Sequence, residues 1–209
     1  MKTGMVLPIV FFASATQGFC GHGGLLDRIK ENYSGGVSLS ATFEVHISWK
    51  VRETQETKRG SIVLAPGDRF RVELGPSLWV SDGKTVWQYD KTINQAVAKP
   101  LSAVDDALLP SRAVSRYCSV YPLVRRPGSG RDAVFEWKPD SAGNGKTGDV
   151  SFVSMTADTK TAVVKTLRVI DGNGNESTYT FFRTAVGGRT PAGAFEFVPP
   201  KGARVLDQR

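Results

Sequence analysis

From residue 37 to residue 51 the chain alternates apolar and polar positions without a break. Val37, Leu39, Ala41, Phe43, Val45, Ile47, Trp49 and Val51 share one parity; Ser38, Ser40, Thr42, Glu44, His46, Ser48 and Lys50 share the other. A helical period would scatter the apolar set around a cylinder, whereas an extended chain puts all of it on one side. The segment predicts one long strand with a dry face and a wet face. At ~3.3 Å per residue it would run for about 50 Å, against ~17–20 Å for a common strand. Such a strand belongs to a broad antiparallel sheet with water on one side.

Other segments repeat the pattern at shorter length. Leu25, Leu26, Ile29 and Tyr33 recur at helical spacing, which predicts a short amphipathic helix over 24–33. Residues 52–59 are polar and read as a turn. Ile62 and Leu64 resume the alternation, Pro66-Gly67-Asp68 marks a turn, and Phe70, Val72 and Leu74 alternate with Arg69, Arg71 and Glu73. Asp82-Gly83 predicts a hairpin over 78–90, with positive φ at both turn residues. Residues 93–97 read as the next strand. Ser102 and Asp105 have capping-box spacing for a short helix through Leu108 and Leu109, disturbed by Pro110 and resuming over 111–117. Strand-like runs return at 133–137, 150–155, 163–170, 177–182 and 194–198, with a further edge piece at 203–206. The set predicts a mainly β chain with short helices, an α+β class whose sheet is a barrel or strongly curved.

The beginning of the chain follows another rule. Lys2 precedes a short apolar run over 5–12, and Ala13, Ser14, Ala15 and Gly18 follow. This has the order of a secretory signal peptide, and the run is too short to span a bilayer, which takes ~20 apolar residues. We assign 1–19 to the leader and 20–209 to a single domain. Cys20 opens an alternative, because a cysteine after such a leader is where lipid is attached in a lipoprotein, although the bulky Phe19 precedes it. The second cysteine is Cys118. Loss of Lys2 with the leader lowers the net charge from +7 to +6. The basic residues are dispersed and lack a nucleic-acid signature, so a solvated basic surface is expected and nucleic acid is not a predicted partner.

Catalytic chemistry has little to stand on. The chain has two histidines, His22 and His46, and neither belongs to a nucleophile or metal pattern. Gly83-Lys84-Thr85 and Gly145-Lys146-Thr147 imitate the tail of a phosphate loop. The leading glycine is replaced by Leu78 and Asp140 respectively, and both stretches read as turns. No catalytic residue, metal site or cofactor is predicted, and the chain is not expected to be an enzyme. What remains is apolar surface. Seven large side chains on the long strand bound the burial gain at ~10–20 kcal/mol before entropy is charged. Such a face must meet a core, a membrane or an apolar ligand.

Two segments carry a resemblance. The run Leu78-Trp79-Val80-Ser81-Asp82-Gly83-Lys84-Thr85-Val86-Trp87-Gln88-Tyr89-Asp90, followed by Gln95, resembles the central signature of the LolA family. Phe195-Glu196-Phe197-Val198-Pro199-Pro200-Lys201-Gly202 resembles its closing F-x-F-x-P-P-x-G. The strand of Phe43 and the run Pro66-Gly67-Asp68-Arg69-Phe70-Arg71 stand in the right order before them. The resemblance implies an incomplete antiparallel β-barrel with a helical lid over an apolar cavity. It implies a monomeric periplasmic chaperone that takes acylated lipoproteins from an ATP-driven inner-membrane exporter of the LolCDE type to an outer-membrane acceptor. The alternatives are an anchored outer-membrane lipoprotein receptor and a lipid-sensing or structural barrel. Candidate lipid-binding residues are Phe43, Val45, Ile47, Trp49, Ile62, Leu64, Phe70, Val72, Trp87 and Tyr89, with Leu108 and Leu109 as lid residues. The family commonly has an arginine before the proline matching Pro66, where it helps hold the lid closed; this chain has Ala65, with Arg69 and Arg71 as nearby substitutes. A tryptophan common in the family is Val72 here.

Overall fold

The computed structural model describes residues 23–33, 36–104, 123–138 and 150–209. Leu108, Leu109, the helix expected beyond Val104, Cys118, Cys20 and the expected leader lie outside these residues.

Among the described residues one α-helix, α1 (Gly23–Tyr33), precedes the strands β1 (Leu39–Trp49), β2 (Thr54–Ala65), β3 (Arg69–Leu74), β4 (Ser77–Asp82), β5 (Thr85–Asp90) and β6 (Gln95–Pro100). A 3-10 turn at Leu101–Ala103 follows. The second half supplies β7 (Val124–Arg126), β8 (Asp132–Trp137), β9 (Val150–Asp158), β10 (Val164–Asp171), β11 (Glu176–Val186) and β12 (Arg204–Asp207). All twelve strands form one sheet in the order β12-β6-β5-β4-β3-β2-β1-β11-β10-β9-β8-β7. Its ends do not meet: the sheet is open and curved, not closed into a barrel. Every pairing is antiparallel except that of β12 with β6.

The long alternating run sits at the middle of the sheet, flanked by β2 and β11. Its regular part is Leu39–Trp49, two residues shorter at each end than the alternation. Residues 54–59, expected as a turn, belong to β2 and extend the β1–β2 hairpin down to the pair Trp49–Thr54. Their polarity disguised them, because this end of the hairpin is open to water. The run 194–198 is not a strand. Its backbone closes turns instead, Ala194 N–H to Pro191 O and Glu196 N–H to Gly193 O, in a stretch bounded by Pro191 and Pro199.

The Asp82-Gly83 turn works differently from the expectation. Only Gly83 has positive φ, at 93°. The Asp82 carboxylate accepts the backbone N–H groups of Lys84 and Thr85, both at 2.8 Å, and closes the turn as an Asx cap.

A single apolar cluster runs along one face of the sheet, from β8 to β5. Its fully buried members include Leu39, Val45, Leu64, Phe70, Val86, Phe135, Val153, Met155 and Val164. The opposite face of the central strands is polar and laced with ion pairs, such as Glu44 with Arg59 at 2.8 Å and Arg168 with Glu176 at 2.7 Å. α1 lies over the apolar face at the end where β1 begins. Ile29 and Tyr33 are buried in the cluster. Arg28 and Asn32 donate to carbonyls of Thr159, Lys160, Thr161 and Ala162 in the β9–β10 turn. Val164 N–H donates to the Tyr33 hydroxyl at 3.1 Å, and burial raises that phenol to about 12.

Candidate functional site

The register of β1 with β2 arranges the apolar face as a series of rungs. Leu39 faces Leu64, Ala41 faces Ile62, Phe43 faces Gly60, Val45 faces Lys58 and Ile47 faces Glu56. Directly opposed residues of antiparallel strands project from the same side, so these pairs share a face. The next strand continues it: Phe70 stands beside Leu64, and Val72 beside Ile62. On the other side of β1, Phe181 and Tyr179 stand beside Phe43 and Val45. Eight of the ten candidates are thus brought onto one face: Phe43, Val45, Ile47, Trp49, Ile62, Leu64, Phe70 and Val72.

Gly60 has a packing reason. A Cβ there would meet the Glu73 carbonyl oxygen first and would lie 2.7 Å from Cζ of Phe43, so the missing side chain makes room for the neighbouring strand and for that ring. The ring then reaches Tyr179 and Phe181, at centroid distances of 6.2 and 6.0 Å.

Burial changes along the face. Leu39, Ala41, Phe43 and Val45 are buried; Ile47 and Trp49 are half-buried. Ile62, Leu74, Trp79, Val169, Tyr179 and Phe181 pack against the core but remain partly open. One end is therefore closed under α1, and the other is apolar but accessible. At the accessible end the rungs become polar. Trp49 Nε1 donates to Glu56 Oε1 at 3.3 Å, and Lys58 Nζ lies 2.9 Å from Glu56 Oε2. The Lys58 hydrogen bond holds the Glu56 carboxyl below its ordinary range. Arg52 lies 5.6 Å over the Trp49 ring.

Trp87 and Tyr89 are a correction. Val86 belongs to the apolar face because it pairs with Ser81, which pairs with Phe70. Trp87 and Tyr89 have the opposite parity and project from the other side. There they meet Phe197, with ring centroids 5.4 and 5.6 Å away. Arg209 lies 5.5 Å over Trp87, and Leu78, Val80, Ala96 and Ala98 are buried on the same side. The alternation of β5 is apolar on both parities near Val86, so sequence alone had no means of choosing.

Arg69 and Arg71 also stand on that other side. Arg69 donates to Pro66 O at 2.9 Å and lies over Phe195; Arg71 pairs with Glu73 at 2.9 Å. Neither shares the face of Phe70; Ala65 itself pairs with Arg69 across the β2–β3 ladder and stands on this same side.

Sequence reasoning missed the far half of the face. Phe135, Trp137, Val153, Met155, Leu167, Val169, Tyr179 and Phe181 all join the cluster. Their alternation within 133–137, 153–157 and 179–181 was a usable signal, weaker only because each run is short. Among the described residues no group of three or more His, Cys, Asp and Glu is placed to hold a metal ion, and no helix is long and apolar enough to cross a membrane. His46 stands on the polar face, its Nδ1 3.1 Å from the Thr57 hydroxyl.

Comparison with known proteins adds an independent line. Residues 36–198 match the family model described as outer membrane lipoprotein carrier protein LolA. An outer-membrane lipoprotein carrier protein of Chromobacterium violaceum is 26% identical over 182 residues, covering 86% of this chain and 85% of its own. One from Pseudomonas fluorescens is 26% identical over 212 residues, covering 98% of each. In fold, the chain resembles an uncharacterized conserved protein of Thermus thermophilus, with a TM-score of 0.57 at 17% identity. That match covers 88% of this chain and 97% of the other.

Proposed function

The chain belongs to the LolA family of outer-membrane lipoprotein carrier proteins, and from that premise we propose that it carries lipoproteins by taking their acyl chains onto the half-open apolar face. Its role is in lipoprotein carriage or sorting; the acyl-chain mechanism is our reading. One observation carries it: large apolar residues around Ile47, Ile62, Trp79 and Tyr179 line one continuous face yet remain partly open to solvent. An open apolar surface of this kind invites an apolar ligand.

The energetics favour the fit. Each buried CH₂ is worth ~0.8 kcal/mol, so a chain of about sixteen carbons gains on the order of 10 kcal/mol on leaving water. That gain opposes escape of a lipid anchor into the aqueous space, and a carrier lowers the barrier by offering a dry surface in transit. The reaction needs no covalent step. Ile47, Trp49 and Ile62 are the residues we assign to chain contact. Phe43, Val45, Leu64, Phe70 and Val72 form the buried floor against which the chains rest. Leu108 and Leu109 remain our candidates for the cover.

In this proposal the mature chain, 20–209, is a periplasmic monomer. It receives acylated lipoprotein from an inner-membrane ATP-driven exporter and delivers it to an outer-membrane acceptor. The test is release: purified protein added to inner-membrane vesicles carrying an acylated lipoprotein should free that lipoprotein into the soluble fraction as a one-to-one complex. Lipoprotein that stays with the vesicles would overturn the proposal. Mass spectrometry of the mature N-terminus separates the anchored receptor from the soluble carrier, since a diacylglyceryl group on Cys20 belongs to the former.

A further inference from the structure

The apolar face has a direction. Its rungs run from Leu39–Leu64 and Ala41–Ile62, through Phe43–Gly60, to Val45–Lys58 and Ile47–Glu56. Leu39 and Leu64 are buried at the α1 end, and the last rungs carry charge on the same side of the sheet. An acylated glycerol has the same polarity sequence, with hydrocarbon tails ending at ester oxygens. Resting on the proposed function above, we infer that Trp49, Glu56 and Lys58 form a subsite for the ester linkage of a diacylglyceryl ligand.

Three facts support the assignment. First, two donors of different chemistry converge on one carboxylate: Trp49 Nε1 at 3.3 Å from Oε1 and Lys58 Nζ at 2.9 Å from Oε2 of Glu56. Second, the three side chains are half-buried, so they are neither locked in the core nor fully solvated. Third, their neighbours along the same face are Val45 and Ile47, which places the donors one rung from the proposed acyl surface. Ester carbonyls accept hydrogen bonds and donate none. A ligand seated with its tails toward Phe43 brings those carbonyls to the level of Lys58 and Trp49. Lys58 carries three N–H donors, so it can hold Glu56 and reach an ester carbonyl together, and the Glu56 carboxylate stays paired in each state.

The hairpin holding the subsite is stiffened at its turn. Lys50 N–H donates to Asn175 Oδ1 at 3.0 Å, and Asn175 is itself bound to Asp171. This ties the β1–β2 turn to the β10–β11 turn and fixes the rungs carrying Trp49 and Glu56.

The test compares two fluorescent probes that differ at the linkage alone: a dipalmitoyl-glyceryl cysteine peptide and its ether-linked dihexadecyl analogue. Wild-type protein should bind the ester about tenfold more tightly, the value of one charge-assisted hydrogen bond. Lys58→Met should remove most of the ester's advantage and leave the ether unchanged. Lys58→Arg should keep the preference, and Trp49→Phe should reduce it by a smaller factor. Thermal midpoints of these variants check that they fold. Equal wild-type binding of ester and ether, or equal weakening of both by Lys58→Met, would overturn the subsite while leaving the carrier proposal standing. Failure of both probes to bind would remove both. Dipalmitoyl phosphatidylethanolamine as competitor separates the sources of ester oxygen. Competition lost equally for peptide and phospholipid in Lys58→Met supports recognition of the shared linkage. A loss confined to the phospholipid would place Lys58 on phosphate and overturn the inference.

Discussion

Two apolar surfaces lie on opposite sides of this sheet and are finished in different ways. The patch around Trp87 and Tyr89 is capped by the chain itself, through Phe197 and Arg209. The face of Phe43 and Ile47 is covered by α1 at one end, and its other end keeps large side chains partly open. The residue types are similar, so composition does not separate them. What separates them is whether the chain uses its own side chains as the cover. A surface already matched by Phe197 serves stability. A surface left half-open, with polar rungs at its rim, is where a transient occupant gains most.

This contrast can be broken in measurable ways. Substitution deep in the closed part of the core should do the most damage. Phe135→Ala removes a fully buried ring and should cost about 3–5 kcal/mol in urea unfolding. Next comes the self-capped patch. Trp87→Ala should cost about 1–3 kcal/mol, because the ring is half-buried against Phe197, while uptake of an acylated peptide by the folded fraction stays at the wild-type level. Loss of uptake there would place ligand on the wrong side of the sheet. Ile47→Glu should reverse the pattern: uptake falls at least tenfold and stability by only about 1 kcal/mol, since the site is already partly open. Unchanged uptake in a fluorescence titration would remove Ile47 from the acyl surface.

A slighter change is expected with pH, and it sharpens the closed end alone. Asp158 is held at about 2 in the folded chain, first by the backbone N–H of Thr161, and further by the Thr161 hydroxyl, Arg131 and the N–H of Lys160. In the unfolded chain an aspartate takes its proton near ~3.9. A depressed folded value means that the stabilisation is complete above about pH 4 and is lost as pH falls toward 2. The same turn receives Arg28 and Asn32 of α1, so helix docking should loosen with it. Thermal midpoints between about pH 5 and pH 2 should fall less steeply for Asp158→Asn than for wild type.

Much of the sheet was legible because one face is wet. In β1 the polar residues Thr42, Glu44 and His46 mark the water side, and period-two alternation then fixes the parity of Phe43 and Val45. In β5 neither side is simply wet. Val86 sits in the main core while Trp87 and Tyr89 sit under Phe197, and the alternation loses its sign. At 54–59 the polarity pointed to a turn. Those residues are strand all the same, because the β1–β2 ladder continues where the face is no longer sealed. The segment 194–198 read as a strand from Phe195, Phe197 and Val198, yet its aromatics serve as caps on neighbouring strands.

A broad one-sided sheet, most of its turns and its family membership were all written in the order of residues along the chain. They follow from local periods, turn chemistry and ordered motifs, all of which are properties of contiguous residues. Folding in three dimensions was needed to settle which side of β5 faces the cluster, that Arg69 and Arg71 stand away from it, and that Lys58 and Glu56 share a face with Val45 and Ile47. Those facts depend on register between paired strands, and a shift of one residue would invert each of them.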